Sequence, residues 1–259
     1  MKLRKLLGKV RWTILSSLHR REFTLPDHEP TVSFTFDDFP HSALARGGAI
    51  LSAYGNRGTY YVAMGLLGKV NELGEQFCAE DLAQLQKDGH ELGSHTFDHV
   101  SCRYTTLANY QANVLKGKEA VLRVTGPQPR HHFSYPGGHV TLRAKRRIGP
   151  QLSSCRGIVP GINSSPIDLH LLRANHLYSH TIDFNAIQSL LRLNDLMRGW
   201  LIFYTHDVQD EPSAHGCKPG HFETIVRMTA QMRAKVLPVG EVLTTVPVSG
   251  ERESSEPVD

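Results

Sequence analysis

The sequence contains no hydrophobic run long enough to span a bilayer and no internal repeat, which argues against a membrane-spanning helix and a repeat protein. Cysteine is scarce: the four cysteines lie far apart and form no Cys-x-x-Cys pair, so we expect no structural thiolate zinc site. The apolar run at residues 12–18 is short and is interrupted by Thr13, Ser16 and Ser17. No good cleavage site follows it, so the sequence predicts no signal peptide and a cytoplasmic protein with free thiols.

Acidic residues are absent from the first 21 residues, which carry seven Lys or Arg. Apolar residues recur there at helical spacing, at Leu3, Leu6, Leu7, Val10, Ile14 and Leu18. This basic amphipathic segment has two interpretations: residues 1–21 contact an anionic membrane at its inner surface, or they form a helix that packs against the folded domain. Aromatic residues are not interleaved with the basic ones, so binding to nucleic acid is not expected.

The length of 259 residues suits one domain, and 40% hydrophobic residues are enough for a large core. Short strand-like and helix-like segments alternate through the middle of the chain, which predicts a parallel sheet with crossover helices. We divide the chain into a basic amphipathic segment at residues 1–28, an α/β domain at residues 29–246 and an acidic, disordered tail at residues 247–259. The sequence does not indicate whether the protein is a monomer or an oligomer.

Three short motifs place acids and imidazoles directly after strand-like segments. Asp37 and Asp38 follow Thr31–Phe36, His95 and His99 follow residues 90–93, and His206 follows Trp200–Thr205. Taken alone, the two acids could equally form a solvated turn that caps the next helix. Because the functional residues of a parallel barrel lie at the carboxyl ends of its strands, we expect these side chains to meet at one edge. One carboxylate and two neutral imidazoles would suit Zn²⁺, with a fourth position open.

In this order, the motifs resemble those of the polysaccharide deacetylases, carbohydrate esterase family 4 with its NodB homology domain. The matching segments are Thr35–Asp38, His95–His99, an altered third motif at Phe133–Gly138, and a histidine after an apolar strand, His206. The resemblance implies a distorted (β/α) barrel with parallel strands and outer helices. It also implies a metal-dependent hydrolase that removes an N-acetyl group from an amino sugar of a polysaccharide, or of a glycan or glycolipid precursor.

The resemblance further implies roles for individual residues. Asp38, His95 and His99 are the expected ligands of a divalent metal, with Zn²⁺ preferred and Co²⁺ or another transition metal as alternatives. Asp37 is the expected base that takes a proton from the attacking water, and His206 is the expected acid for the departing amine. The remaining expectations are a backbone oxyanion donor and three substrate contacts, at Gly137 and at Tyr135, Pro136 and Gly138.

Two departures from the family pattern concern the groups that orient the base and the acid. The arginine that is usual in the third motif is Ser134 here, and Arg156, on the next predicted strand, is a candidate to orient Asp37 instead. An ordinary ion pair is the alternative role for Arg156. The fourth motif, which orients the acid histidine, is not recognisable, and Asp183 and Asp207 are poor candidates for it.

Two other functions stay open. One is a hydrolase for another non-peptide C–N bond, such as that of a cyclic amide or ureide. The other is a catalytically inactive sugar-binding relative. The intact set of acids and imidazoles argues against the second, because decay should first remove the base or a metal ligand. The expected partner is an N-acetylated saccharide, and the sequence does not name the sugar.

Overall fold

The computed structural model describes residues 12–25, 29–232 and 234–244, so the tail predicted at residues 247–259 lies outside the described part of the chain. The strands are β1 (Glu22–Phe23), β2 (Thr31–Asp38), β3 (Thr59–Val62), β4 (Val70–Asn71), β5 (Gly74–Glu75), β6 (Glu91–Ser94), β7 (His132–Ser134), β8 (Ser154–Arg156), β9 (Ile167–Asp168), β10 (Asn175–His176), β11 (Trp200–Thr205) and β12 (Lys235–Val236). The helices are α1 (residues 12–17), α2 (Ala49–Ala53), α3 (Ala79–Lys87), α4 (Leu107–Thr125), α5 (Leu142–Ile148), α6 (Phe184–Met197), α7 (Pro219–Gln231) and α8 (Val239–Val242). A π-helical segment at Ala43–Gly48 leads into α2.

The sheet at the centre of the molecule has the strand order β10–β11–β2–β3–β6–β7–β8, and β12 pairs with the start of β2. Its pairings are parallel, as expected for strands joined by crossover helices. The sheet curls until its two edges approach each other. This is seen in a bridge between Leu172, shortly before β10, and Arg156 of β8 at the opposite edge. The result is the distorted (β/α) barrel that the sequence predicts, so this prediction is confirmed.

Alternation along β2 separates the interior of the barrel from its helical layer. Phe34 and Phe36 face outward and pack against an aromatic ring of α7, with ring centroids 5.4 and 5.6 Å apart. Ser33 faces inward, where its hydroxyl accepts a hydrogen bond from the indole of Trp200 at 2.9 Å. Every second residue from Ser33 therefore faces inward, and the last of these residues is Asp37. The strand thus places a carboxylate at the mouth of the barrel.

The N-terminal segment packs against the barrel over the part that the structure describes. Leu15 of α1 is buried in one cluster with side chains of α4 and α5, and β1 pairs antiparallel with β9. Lys145 of α5, itself fully buried, donates hydrogen bonds to carbonyls at the end of α1. The packed-helix interpretation therefore fits residues 12–25, and membrane contact through residues 1–21 stays a prediction. No helix within the described ranges is long and apolar enough to cross a membrane.

Candidate active site

Five strands deliver polar side chains to one end of the barrel. These are Asp37 and Asp38 at the end of β2, His95 after β6, Ser134 at the end of β7, Arg156 at the end of β8, and His206 after β11. All of them lie at or just beyond the carboxyl ends of parallel strands, where (β/α) barrels place their active sites. The sequence motifs therefore meet at one edge of the sheet, as the spacing of strands and motifs predicts.

The backbone around the acids and imidazoles is held in the left-handed region at residues other than glycine. Asp38 and Phe39 have φ of 63° and 64°, and Thr96 and His99 have φ of 61° and 54°. Such conformations are rare for non-glycine residues, and they cluster where a fold places functional groups. The strand runs through both acids rather than ending before them. The turn at Asp38 interrupts its alternation, so that Asp37 and Asp38 line the same cleft.

Asp38, His95 and His99 bring three metal-ligand atoms together, all within 4.8 Å of one another. The Oδ1 atom of Asp38 lies 3.6 Å from Nε2 of His95 and 3.2 Å from Nε2 of His99. This oxygen is buried and has no hydrogen-bond partner among the described residues, which is unfavourable unless a cation or a donor meets it. The donor set therefore fits a divalent transition metal that binds imidazole and carboxylate.

His95 is prepared to act as a neutral ligand. Its Nδ1 donates a hydrogen bond to the carbonyl of Ser134 at 2.8 Å, which leaves the lone pair on Nε2. Burial lowers the pKa of His95 to about 4, so the ring is neutral near pH 7. The side chain of His99 is 39% exposed, so the cluster opens to solvent on one side. That opening leaves room for a water or substrate oxygen beside three protein donors.

Asp37 is paired with Arg156 across the interior of the barrel. Nη2 of Arg156 contacts both carboxylate oxygens of Asp37 and the hydroxyl of Ser134. The pair joins β2 and β8, which are four places apart in the sheet order, so the curl of the sheet brings them together. Burial alone would raise the pKa of Asp37, but the guanidinium of Arg156 holds it below its usual range. Asp37 is therefore an ionised carboxylate beside the metal-ligand cluster.

Arg156 is fully buried and is held on several sides. Its guanidinium carbon lies 5.2 Å from the ring centroid of Tyr61 and 4.8 Å from that of Tyr204, and Nη1 donates to the carbonyl of Gly157 at 2.8 Å. A guanidinium fixed in this way gives the carboxylate of Asp37 one orientation. The structure thus brings Arg156 to the residue that sequence analysis paired it with, and its part in catalysis stays a prediction.

His206 is partly exposed where it lines the cleft. Its Nδ1 lies 3.2 Å from the carbonyl oxygen of His215, so Nδ1 donates a hydrogen bond and Nε2 is the ring nitrogen left for a substrate. The two acids considered for the missing fourth motif have other hydrogen-bond partners. Asp183 caps the N-terminus of α6, and Asp207 accepts hydrogen bonds from the loop that follows β11.

The sequence profile of the polysaccharide deacetylase family matches residues 24–149, which contain β2, the metal-ligand cluster and the third motif. The matched part is just under half of the chain, and over it the chain is similar to the polysaccharide deacetylases. Arg156 and His206 lie beyond the matched range, and the barrel places both of them at the family's first two motifs. No curated protein sequence matches the chain.

Solved structures of carbohydrate esterase family 4 share this fold at low identity. A family 4 acetyl xylan esterase from Clostridium thermocellum, in complex with a cobalt ion, is 18% identical with a TM-score of 0.56, and the match covers 83% of this chain and 90% of that chain. A peptidoglycan N-acetylglucosamine deacetylase is 14% identical with a TM-score of 0.57, with 85% and 91% covered. A pseudoenzyme from Bacillus anthracis is 14% identical with a TM-score of 0.53, with 84% and 66% covered. At these identities the likeness shows the fold alone.

The third family motif forms a tight turn at Gly137 and Gly138. Both glycines have positive φ, of 59° and 62°, and a Cβ on Gly138 would collide with the side chain of Ile158. The amides of Gly138 and His139 close the turn on preceding carbonyls at 2.8 and 3.2 Å. The amide of Gly137 has no such bond among the described residues, and Gly137 lines the cleft. Its N–H is therefore the one at this turn that a substrate oxygen could reach.

Tyr135 and Pro136 are not among the described residues that line the cleft, although the family resemblance makes them expected substrate contacts. Tyr135 is 1% exposed, its ring packs against Phe133, and its hydroxyl donates to a backbone carbonyl. The reason is the alternation of β7: Ser134 faces the interior, so the side chains before and after it face the outer helices. Of the three expected contacts, the structure places Gly138 at the cleft.

The cleft has a volume of about 360 Å³ and is also lined by residues outside the family motifs. These are Glu72, Leu73, Ile158, Tyr178, Tyr204 and His215. Leu73 belongs to the hairpin of β4 and β5, and Tyr178 follows β10, two elements too short to show in the hydropathy pattern. The position of Tyr204 can be predicted from the sequence, because alternation along the strand before His206 places its side chain among the inward-facing ones.

Proposed function

We propose that the chain is a metal-dependent hydrolase that removes an N-acetyl group from an amino sugar in a polysaccharide, or in a glycan or glycolipid precursor. The observation that carries the proposal is the division between two adjacent acids. Asp38 directs an unpartnered oxygen at His95 and His99, whereas Asp37 is held outside that donor set by Arg156. One acid is thereby suited to hold a metal, and its neighbour to exchange a proton.

Asp38, His95 and His99 would hold the ion, for which Zn²⁺ is the first candidate and Co²⁺ the second. A divalent ion bound there supplies Lewis-acid chemistry, since it polarises an acyl carbonyl and lowers the pKa of water. The cobalt complex of the acetyl xylan esterase supports a metal in this fold. The one-sided exposure of His99 supports access of substrate to the ion.

Asp37 is the base in this proposal. Its carboxylate lines the cleft and is not taken up by metal ligation, so it can accept a proton from the attacking water. Arg156 fixes the direction of the carboxylate. Because the guanidinium of Arg156 holds the pKa of Asp37 below its usual range, the base enters the reaction ionised.

The amide of Gly137 and the ring of His206 act on the substrate from two different strand ends, those of β7 and β11. The N–H of Gly137 donates to the carbonyl oxygen as that oxygen gains negative charge in the tetrahedral state. His206 donates a proton to the departing nitrogen, which needs it because an unprotonated amide nitrogen is too basic to leave. The products are acetate and a free amine.

An N-acetylated saccharide suits the lining of the cleft. The ring of Tyr178 lies beside His206 and His215, at centroid distances of 6.1 and 5.3 Å. An aromatic face offers a negative surface to the C–H groups of a sugar ring, so Tyr178 is a candidate to hold the amino sugar near the acid. The structural relative that deacetylates peptidoglycan N-acetylglucosamine supports an amino sugar as the acyl carrier.

The pseudoenzyme from Bacillus anthracis shows that this fold also occurs without activity. Turnover is favoured here because the expected base, the expected acid and two candidate ligands, Asp38 and His99, line the same cleft, and the third ligand, His95, lies next to them. A hydrolase for a cyclic amide or ureide would use the same groups in the same arrangement. The choice between an acetylated sugar and a ring amide is therefore left to a substrate test.

The test is acetate release by the purified protein loaded with Zn²⁺. N-acetylated mono- and oligosaccharides should yield acetate and free amine in equal amounts, chelation should abolish the reaction, and Zn²⁺ or Co²⁺ should restore it. Cyclic amides and ureides, run in the same assay, serve as the comparison. Turnover of the ring compounds alone would favour the other hydrolase, and metal-replete protein that turns over none of these substrates would contradict the proposal.

A further inference from the structure

His206 takes its orientation from a backbone carbonyl. Its Nδ1 and its own amide nitrogen each lie 3.2 Å from the carbonyl oxygen of His215, and the hydroxyl of Thr205 lies 3.3 Å from the same oxygen. Since a carbonyl can only accept, Nδ1 carries the hydrogen, and Nε2 is left to serve the substrate. The position of the His215 carbonyl therefore sets the tautomer and the direction of the ring.

The loop that carries the His215 carbonyl is wound around Asp207. Asp207 is fully buried, and its carboxylate accepts hydrogen bonds from the amide of Ser213 at 2.8 Å, the hydroxyl of Ser213 at 2.5 Å and the side chain of Gln209 at 3.0 Å. A Cβ on Gly216 would lie only 2.4 Å from the same carboxylate. The loop is thus closed tightly on one acid.

Ser213 transmits the position of Asp207 to the carbonyl. Its hydroxyl, which donates to Asp207, accepts from the amide of His215 at 3.1 Å, and its own carbonyl accepts from the amide of Gly216 at 3.1 Å. The amide of Gly216 and the carbonyl of His215 belong to one planar trans peptide unit, in which N–H and C=O point in opposite directions. Holding the N–H at Ser213 therefore aims the C=O at His206.

We propose that Asp207 is a positioning residue for His206, acting through Ser213 and the carbonyl of His215. This route would take the place of the fourth family motif, which the sequence lacks. The inference rests on the proposed role of His206 as the acid. Asp207 does not touch the ring, so its effect is geometric: without it the carbonyl shifts, and Nε2, which must itself be protonated before the ring can act as an acid, no longer faces the substrate.

The leaving group distinguishes a misplaced acid from a damaged site. An amide nitrogen must receive a proton before it departs, whereas 4-nitrophenolate leaves from 4-nitrophenyl acetate without one. Both reactions would use the same metal ligands, the same base and the same oxyanion donor. Loss of acid positioning should therefore slow amide hydrolysis selectively, and general damage should slow both reactions alike.

The experiment compares kcat for an N-acetyl amino sugar and for 4-nitrophenyl acetate in the zinc-loaded protein and its variants. Asp207→Ala and Ser213→Ala should each lower kcat for the amide by at least about tenfold, part of the roughly 10²–10⁴-fold that a positioned acid supplies, with a much smaller loss on the ester and an unchanged KM. Asp207→Asn should recover much of the amide rate, because its side-chain oxygen still accepts from the amide of Ser213. Asp183→Ala, which removes a helix cap away from this loop, is the matched control and should leave the ratio of the two rates unchanged.

A second measurement does not depend on turnover. ¹⁵N NMR of histidine-labelled protein, with the His206 signals assigned through His206→Gln, should place the hydrogen on Nδ1 in the wild type and show mixed tautomers in Ser213→Ala. Equal loss of both reactions in the variants, or unchanged rates with an unchanged tautomer, would overturn the inference. If the wild type hydrolyses the ester but no N-acetyl sugar, the proposed function fails, and the tautomer in Ser213→Ala alone decides the role of this loop.

Discussion

Two cationic side chains are completely buried in the described part of the chain, and each meets a carboxylate. Arg156 meets Asp37 at the mouth of the barrel, and Lys145 meets Asp168 at its outer wall beneath α1. Both pairs join elements that are distant in sequence, and the cationic group of each is fully buried. Burial and pairing alone therefore do not distinguish a candidate catalytic pair from a structural one.

The outer pair, Lys145 and Asp168, has a hydrogen-bond partner for each of its charged atoms. The ammonium group of Lys145 has three acceptors, which are Asp168 at 2.5 Å and the carbonyls of Leu15 and Leu18 at 2.6 and 2.8 Å. Asp168 in turn accepts from two backbone amides at 3.1 and 3.0 Å through its other oxygen. The carbonyls belong to the last turn of α1 and the residue after it, so the pair holds the N-terminal segment to the barrel.

The inner pair, Arg156 and Asp37, has unused hydrogen-bonding capacity on one side. The carboxylate of Asp37 is met by the guanidinium of Arg156, and its remaining acceptor capacity faces the cleft beside Asp38. Asp38, the next residue, has a buried oxygen with no hydrogen-bond partner among the described residues. The candidate site is therefore marked by unused hydrogen-bonding capacity next to an open cleft, and burial of a charge pair does not mark it.

Asp37→Asn should give the largest loss of rate among the variants of the two pairs. Without a base for the attacking water, kcat for acetate release should fall by about 10²–10⁴-fold at saturating zinc and substrate. The matched control is Asp168→Asn, whose carboxylate has only structural partners, and its kcat should stay at the wild-type value. Similar losses in the two variants would mean that the two carboxylates do not differ as the account requires.

Arg156→Met should have the second-largest effect. The substitution removes the charge-assisted contact that orients Asp37, so kcat should fall about tenfold or more, which corresponds to ~1.4 kcal/mol or above in activation free energy. Zinc content should stay normal, because none of the three candidate ligands touches the guanidinium. Steady-state kinetics together with metal analysis check both points, and wild-type kinetics in this variant would show that something else orients the base.

Lys145→Met should have the smallest effect on rate and a large effect on stability. It leaves Asp168 buried without its cation and frees two carbonyls at the end of α1, so the free energy of unfolding should fall by about 3–5 kcal/mol. Urea denaturation measures this loss, and kcat of the protein that remains folded should equal that of the wild type. A lower kcat with unchanged stability would reverse the assignment of the two pairs.

The sequence could predict that Asp38, His95 and His99 lie together, because each of them follows a strand-like run in a short motif. The site differs from the prediction at Asp38, where the strand continues and the left-handed turn, rather than the end of the strand, brings both acids to one side. Tyr135, which the family resemblance predicts at the cleft, lies in the outer core, because alternation along β7 turns it to the side opposite Ser134. A family motif thus predicts where a loop lies more reliably than it predicts which way each side chain of that loop points.

Other features left no signal in the sequence. The hairpin of β4 and β5, which brings Leu73 to the cleft, has strands of two residues, too short for a periodic pattern. The helix α5 coincides with a basic stretch whose buried apolar residues, Ala144 and Ile148, are outnumbered by charged ones. The orientation of His206 depends on a backbone carbonyl, and any residue type can supply a carbonyl.

The central claim is that two adjacent acids have separate roles, and zinc affinity tests it most directly. Dissociation constants for the wild type, Asp38→Ala and Asp37→Asn can be measured by competition with a chromogenic chelator. Asp38→Ala should bind zinc more weakly by more than the roughly 10–100-fold that is typical when an outer-shell partner is lost, because it removes one of three ligands. Asp37→Asn should bind zinc as the wild type does. Loss of zinc from Asp37→Asn, or wild-type affinity in Asp38→Ala, would contradict the account.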